Sequence, residues 1–328
     1  MRVGVIGTNW GRMHVGAFRG AGAEVVALCG QDRAKTAEVA AREGIPLATT
    51  DVAELCGACE VVVVASPDRA HHAHVLAALS AGRHVLCEKP LAFTAEEALA
   101  LARAAAERPA SVCGVGFPYR QLPPFVALRD WAQTWPRPTA LTVTVRSAFA
   151  HPPGSEASGD WSGMSHLLDA AFWLMGEAPA WVEATRQQLP VQRVAIAVGL
   201  ASGRQVTITQ AASSEPGIHG IWVLFAERRV ARVAGGYVPA LGGWQLGPAQ
   251  VSFPASEGWS TLSPPLGPVE GRREPWAQAH VENARELLAI IGGGERVRLA
   301  TFEEGARVQQ AFAAATQSAA EGGARIQL

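Results

Sequence analysis

The sequence predicts an α/β protein: a doubly wound parallel sheet in residues 1–117, then an α+β domain over residues 118–328 with a mainly antiparallel, open-faced sheet. Two patterns carry this expectation. Up to Phe117, short apolar runs alternate with alanine-rich stretches of helical period; beyond it, strict apolar/polar alternation takes over. The length agrees, since 328 residues suffice for two cores of about 150 residues each.

Taken in order, residues 3–6, 24–29, 61–65, 84–87 and 111–115 read as strands, and four consecutive valines at 61–64 suit a strand buried on both faces. Between them, residues 10–19, 34–42, 70–81 and 95–106 place apolar side chains every three or four positions and read as helices. A helix over 124–135 follows. Alternation then appears at Leu141, Val143 and Val145, at Val194 to Leu200, at Val206 and Ile208, and at Ile221, Val223 and Phe225. Such strands leave one face for solvent or another subunit, which implies a homodimer or homotetramer through this sheet. Two helices, 275–291 and 302–320, close the pattern, the first with Pro275 in its opening turn. Residues 235–268 hold seven Gly and six Pro and read as a long loop, a length that usually serves function or mobility.

Composition narrows the function. The formal net charge is −1, so there is no cationic excess for nucleic acid. No apolar run approaches the roughly 20 residues of a membrane span, and the first residues are too short and glycine-rich for a signal segment; the expectation is a cytoplasmic protein acting on a small molecule. Five cysteines form an odd, sparse set that reads as reduced thiols, and Cys56-x-x-Cys59 has no second pair to complete a zinc site. His71, His72 and His74 likewise have no spaced carboxylate, so no metal is expected. Neither tyrosine is followed four residues later by lysine, which excludes the Tyr-x-x-x-Lys relay of a short-chain dehydrogenase. Lysine itself occurs only at Lys35 and Lys89, against 26 arginines.

Gly7-Thr8-Asn9-Trp10-Gly11 joins the first strand to the first helix, where a dinucleotide pyrophosphate would rest on backbone N–H groups. Asn9 stands where a second glycine is usual, a substitution its tolerance of left-handed conformations permits. At the end of the second strand Gly30 replaces the carboxylate that would meet a free ribose hydroxyl, and Arg33 offers positive charge. That pair favours NADP(H) over NAD(H). Lys89 ends another strand, where open α/β sheets bind ligands, and a compact ammonium can polarise a carbonyl in a way guanidinium cannot. Lys35 reads as a surface lysine. Trp161 is a candidate for stacking on a sugar.

Ser66-Pro67-x-x-x-His71 and the run Ala78-Leu79-x-Ala81-Gly82-x-His84-Val85-x-x-Glu88-Lys89-Pro90 resemble the Gfo/Idh/MocA family of glucose–fructose oxidoreductases and inositol dehydrogenases. The likeness extends to Gly11-x-x-His14, Gly116-Phe117-x-Tyr119-Arg120-x-x-Pro123, His166-x-x-Asp169 and Phe302-Glu303-x-Gly305. It implies a Rossmann domain binding the cofactor through Gly7, Thr8, Asn9, Trp10, Gly30, Arg33, Ser66, Pro67, His71, Glu88 and Lys89. It further implies hydride transfer to or from a sugar, cyclitol or related polar carbonyl compound, with Lys89 bonding the reacting oxygen and His166 exchanging the proton. Tyr119, Arg120, Trp161 and Ser162 would border the substrate.

One departure qualifies this. The family commonly has an aspartate four residues before the histidine, but Ser162 stands there and Asp160 comes two residues too early. An imine or keto intermediate as substrate, or a nucleotide-binding sensor with reduced catalysis, is therefore the alternative. Locally, Ser162 reads as the N-cap of a helix carrying His166 in its first turn, where the positive helix end favours neutral imidazole, and Asp169 is placed to orient it. A hydrolase triad of Ser162, His166 and Asp169 is disfavoured, because all three would lie on one helix without an oxyanion site.

Overall fold

The computed structural model describes residues 1–134, 136–147, 163–187, 193–215, 217–241, 243–252, 258–267 and 274–328. They form two compact units, Met1–Pro118 with Ala277–Gln309, and Tyr119–Trp276 with Gln310–Leu328. The chain thus passes between units three times, where the sequence pattern shows one boundary.

The first unit contains β1 (Arg2–Ile6), α1 (Gly11–Gly20), β2 (Glu24–Cys29), α2 (Arg33–Glu43), β3 (Leu47–Thr49), α3 (Val52–Ala58), β4 (Val61–Val64), α4 (His71–Ser80), β5 (His84–Cys87), α5 (Ala95–Ala106) and β6 (Cys113–Val115). Its six strands run in the order β3-β2-β1-β4-β5-β6, with every pairing parallel. The order reverses between β1 and β4, so the ligand crevice of such a sheet opens outside the carboxyl ends of those strands. All four valines of β4 are inaccessible to solvent, which explains why no polar residue interrupts the run.

Two elements escape the sequence pattern. β3 has three residues, too few to show a period, and α3 is only seven residues long although Asp51 caps it by accepting from Ala53 N–H. In contrast, α5 begins where Thr94 and Glu97 form a reciprocal capping box. A later helix, α8 (Pro275–Ile291), contributes Val281, Ala284 and Leu287 to the core containing Val3, Phe18, Leu28 and Leu86.

The second unit comprises α6 (Pro123–Ala132), β7 (Ala140–Ser147), α7 (Met164–Met175), β8 (Pro179–Gln187), β9 (Arg193–Leu200), β10 (Gln205–Ala212), β11 (Ile218–Ala226), β12 (Arg229–Val238), β13 (Gly243–Leu246), β14 (Ala249–Ser252), β15 (Ser260–Ser263), the C-terminal half of α9 (Phe302–Ala320) and β16 (Ile326–Gln327). The sheet order is β15-β14-β12-β11-β7-β10-β9-β8-β16, with β13 also on β12. It is mixed: β7 and β10 pair in parallel, with Leu141 opposite Val206, and the other pairings are antiparallel. One face buries Leu141, Val143, Val206, Ile208, Trp222 and Leu224, with α6 and α7 packed against strands of the sheet. On the opposite face Ile221 and Phe225 are 48% and 40% exposed.

The long loop expected over 235–268 is corrected by β12 to β15, which occupy much of that span. Its glycines permit close strand packing. A Cβ on Gly236 would overlap the Ile218 carbonyl oxygen, and Gly235 adopts φ 149°. A glycine count alone does not distinguish that use from a loop.

Candidate active site

The first unit brings the carboxyl ends of β1, β2, β4 and β5 to one sheet edge. Gly7 follows β1 at φ 125°, and its N–H donates to the Cys29 carbonyl at 2.8 Å; a Cβ there would overlap the Ala65 carbonyl oxygen. Gly11 opens α1 with the space for a Cβ filled by Val5, 2.9 Å away, so the helix packs closely on β1. Trp10 occupies the N-cap without a side-chain cap bond, and no acidic residue sits in the first turn of α1. These glycines and a helix end without a side-chain cap fit a dinucleotide pyrophosphate, whose negative charge the helix dipole favours.

Lys35 belongs to this loop, contrary to its reading as an uninvolved surface residue. Its Nζ donates to Asn9 Oδ1 at 2.9 Å, while its backbone N–H donates to the N-cap Asp32 at 2.9 Å. The available signal was its position three residues after an N-cap, on a turn facing the loop. Gly30 also has a different explanation from the one expected. A Cβ would overlap Thr36 Oγ1 and lie 2.7 Å from Thr8 Cγ2, so packing against these two side chains also favours glycine there. Arg33 and Lys35 are both exposed beside this strand end.

His71 is buried, and its ring nitrogens face two carbonyl oxygens, Nδ1 toward Pro90 at 2.8 Å and Nε2 toward Ser66 at 2.9 Å. It therefore ties the loop after β4 to the loop after β5. Ser66 Oγ in turn shares a hydrogen bond with His74 Nδ1 at 2.9 Å.

Glu88 and Lys89 follow β5. Glu88 is 5% exposed; its Oε1 lies 2.6 Å from His14 Nε2 on α1 and its Oε2 accepts from Lys89 N–H at 3.1 Å. His280 of α8 brings Nδ1 to 4.0 Å from Oε1. Burial would raise the Glu88 pKa, but the hydrogen bond to His14 and the positive charge nearby hold it well below the usual carboxylate range. Burial also pulls His280 down to about 4, so its ring is neutral at pH 7. The three side chains place ligand-type atoms within 4.8 Å of one another. The 2.6 Å separation is nevertheless a hydrogen bond, shorter than the roughly 3.3 Å that two ligands of one tetrahedral zinc maintain.

In the second unit, α7 starts at Met164 with Gly163 as its N-cap at φ 80° and no side-chain cap. This replaces the capping role expected of Ser162; Trp161 and Ser162 lie outside the described residues. His166 sits in the first turn, half-buried, with its ring edge-on to Trp276 at 5.4 Å and to Tyr119 at 6.1 Å. Trp244 stacks on Trp276 at 4.4 Å, extending an aromatic group that sequence spacing could not assemble.

Tyr119 and Arg120, expected at the substrate, are only 3% and 4% exposed. Tyr119 packs among Phe125, Trp222, Trp244 and Trp276, and burial raises its phenol pKa well above the ordinary value. Arg120 donates from Nε to both Asp169 oxygens, at 3.2 and 3.0 Å, and from Nη2 to Oδ1 at 2.6 Å. The observed orienter of Asp169 is thus a guanidinium on a separate element, a partner that the His166-x-x-Asp169 spacing does not reveal.

The five cysteines are free and buried. Burial raises Cys29 and Cys59 to about 11 and Cys113 to about 12, leaving thiols rather than reactive thiolates.

The parallel sheet, its order and the glycine turn at the switch point define a Rossmann-type fold. Residues 1–117 match the Gfo/Idh/MocA model, described as an oxidoreductase family with an NAD-binding Rossmann fold. The match covers the first unit's N-terminal stretch, about a third of the chain. It is 39% identical over 118 residues to a 1,5-anhydro-D-fructose reductase of Ensifer adhaerens, covering 35% of each chain. Against an inositol 2-dehydrogenase of Saccharopolyspora erythraea the figures are 34% over 188 residues and 54% of each chain. The matches thus span about a third to just over half of these relatives. A crystal structure of a putative myo-inositol dehydrogenase from Sinorhizobium meliloti 1021 superposes over 100% of this chain and 99% of its own, with TM-score 0.78 and 25% identity.

Replacing Arg120 by Met should cost about 3–5 kcal/mol in the second unit by stranding the Asp169 carboxylate. Urea unfolding followed by tryptophan fluorescence should show this loss, with Arg120→Met/Asp169→Leu recovering much of it.

Proposed function

We propose that the protein is an NADP(H)-dependent oxidoreductase acting at a CH–OH or C=O carbon of a sugar, cyclitol or related polar compound. The observation that carries this reading is the placement of the glycine turn and Lys89 at the carboxyl edge of one parallel sheet, flanking its switch point. The relatives' named activities on inositol and an anhydro sugar support the substrate class. Residues 1–117 would hold the dinucleotide, and residues 118–328 would supply substrate contacts and association.

The bound nicotinamide supplies hydride donation or acceptance. Lys89 bonds the reacting oxygen and stabilises its developing negative charge, a role suited to an ammonium on a short reach from β5. His166 exchanges the hydroxyl proton from the first turn of α7. Its aromatic neighbours limit access by bulk water. Arg33 and Lys35 favour the 2′-phosphate form of the cofactor, and Gly30 excludes the carboxylate that would oppose it.

The open sheet face provides the association surface. Ile221 and Phe225 project from β11 beside Ala234 and Val230 of β12, and a second copy of this chain is the proposed occupant. No described helix is long and apolar enough to cross a membrane.

NADPH should bind at least about tenfold more tightly than NADH in a fluorescence titration, with Lys35→Met narrowing the ratio; a preference for NADH overturns the cofactor assignment. Lys89→Arg should lower turnover of responsive substrates, tested on a panel including myo-inositol and 1,5-anhydro-D-fructose, by about 10²-fold or more while cofactor binding persists. Wild-type rates in this variant remove Lys89 from the reaction. For association, light scattering should give a dimer or tetramer, and Ile221→Lys/Phe225→Lys should reduce it to a monomer.

A further inference from the structure

The open face of the second sheet ends in a row of basic residues that the proposed reaction leaves unused. Arg193 of β9 lies opposite Ala211 of β10, Ala211 opposite Arg146 of β7, and Arg146 opposite His219 of β11. Directly opposed residues share a sheet face, so the four are neighbours on one surface. Arg146 and Arg193 are exposed, and Ala211 between them is too short to fill the gap. Among the described residues neither arginine has a hydrogen bond or an ion pair. The next row on the same face, Ala195, Thr209, Thr144 and Ile221, holds no carboxylate to neutralise them.

At His219 the row meets a cavity. A space of about 490 Å³ is lined by His219 and Gln245, by Gly235 and Gly236 of β12, and by Pro265 and Gly267. Pockets for small organic molecules usually hold roughly 300–1,000 Å³, so the size fits. Two hydrogen bonds between Leu246 and Leu266, at 2.6 and 2.8 Å, hold the wall carrying Pro265 and Gly267 against β13. His219 Nε2 is shielded from bulk water and has no hydrogen-bond partner, which leaves a polar atom unsatisfied where row and cavity join. Trp244 and Gln245 are consecutive in β13 and project to opposite faces. The cavity is therefore separate from the aromatic group that Trp244 forms with Trp276 beside His166.

We propose that this end of the open face binds a small organic phosphate, with the phosphate on Arg146 and His219 and the organic body in the cavity. A guanidinium matches phosphate oxygens through paired, charge-assisted hydrogen bonds, and an imidazole N–H adds a further donor. Arg193 extends the positive surface on the outer side. Gln245, able both to donate and to accept, suits hydroxyl groups on the body. Free phosphate would use the row alone, whereas an organic phosphate uses row and cavity together. None of these residues has a part in hydride transfer, so the inference stands apart from the proposed reaction.

Titration calorimetry of the full chain with glucose 6-phosphate, glycerol 3-phosphate, glucose and inorganic phosphate tests this, with NADPH present to fill the dinucleotide turn. At least one of the two organic phosphates should bind with Kd below about 1 mM, and at least about tenfold more tightly than glucose or inorganic phosphate. Arg146→Gln/His219→Gln, which leaves the helix-facing core of the sheet intact, should weaken that binding at least about tenfold, with circular dichroism verifying the fold. Failure of both organic phosphates to bind overturns the proposal, as does undiminished binding in the folded double variant. Equal affinity for inorganic phosphate removes the cavity from the site and overturns it too. If the double variant instead loses self-association in light scattering while phosphate binding is unchanged, the row faces a second copy of the chain and the small-molecule assignment falls.

Discussion

A single buried carboxylate organises the first unit. Glu88 needs compensating partners because removing its charge from water costs several kcal/mol, and no single strand end can provide them. The chain answers with the His14 hydrogen bond from the first helix, and a helix more than 190 residues later in sequence packs the neutral His280 ring beside the pair. The second contribution explains why Ala277–Gln309 joins the first unit. α8 adds Val281, Ala284 and Leu287 to the apolar core, and the same helix carries His280 to the sheet edge. Packing and site electrostatics are therefore secured by one element.

Local periodicity made much of this fold readable. The valine run of β4, the capping-box residues of α5 and the apolar stripe of α8 each state their structure within a few turns or one strand. What stayed hidden depends on distant partners or on elements too short to repeat. β3 has no measurable alternation, and glycines in β12 resemble loop glycines until Ile218 is seen beside Gly236. The parallel β7–β10 pairing is equally invisible, because alternation specifies which face is buried but not the direction of a neighbouring strand.

The candidate site divides the same way. Lys89 stands out from sequence because it is one of two lysines and ends a strand. Arg120 and Asp169 stand out too, but their spacing suggests separate work on substrate and histidine. Buried together, they neutralise each other through a bidentate bond, and that pairing anchors the helix bearing His166. The aromatic surroundings of His166 come from Tyr119, Trp244 and Trp276, which no local window contains. Composition could report many tryptophans, but only tertiary structure selects these.

The end of β2 shows how packing can redirect a functional choice. A Cβ at position 30 would crowd Thr36 Oγ1 and Thr8 Cγ2, so a carboxylate there, the usual means of recognising a ribose hydroxyl, would require both threonines to shift. α2 supplies Arg33 and Lys35 beside this strand end, and Asp32, the nearby acid, is occupied as the N-cap that receives Lys35 N–H. Because Lys35 also reaches Asn9, the helix that offers positive charge is tied to the turn that would hold the pyrophosphate. The turn and the helix are thus joined by one side-chain bond. Asn9 provides an acceptor for the lysine, and the lysine in turn supplies charge on the side of the site where the carboxylate is absent.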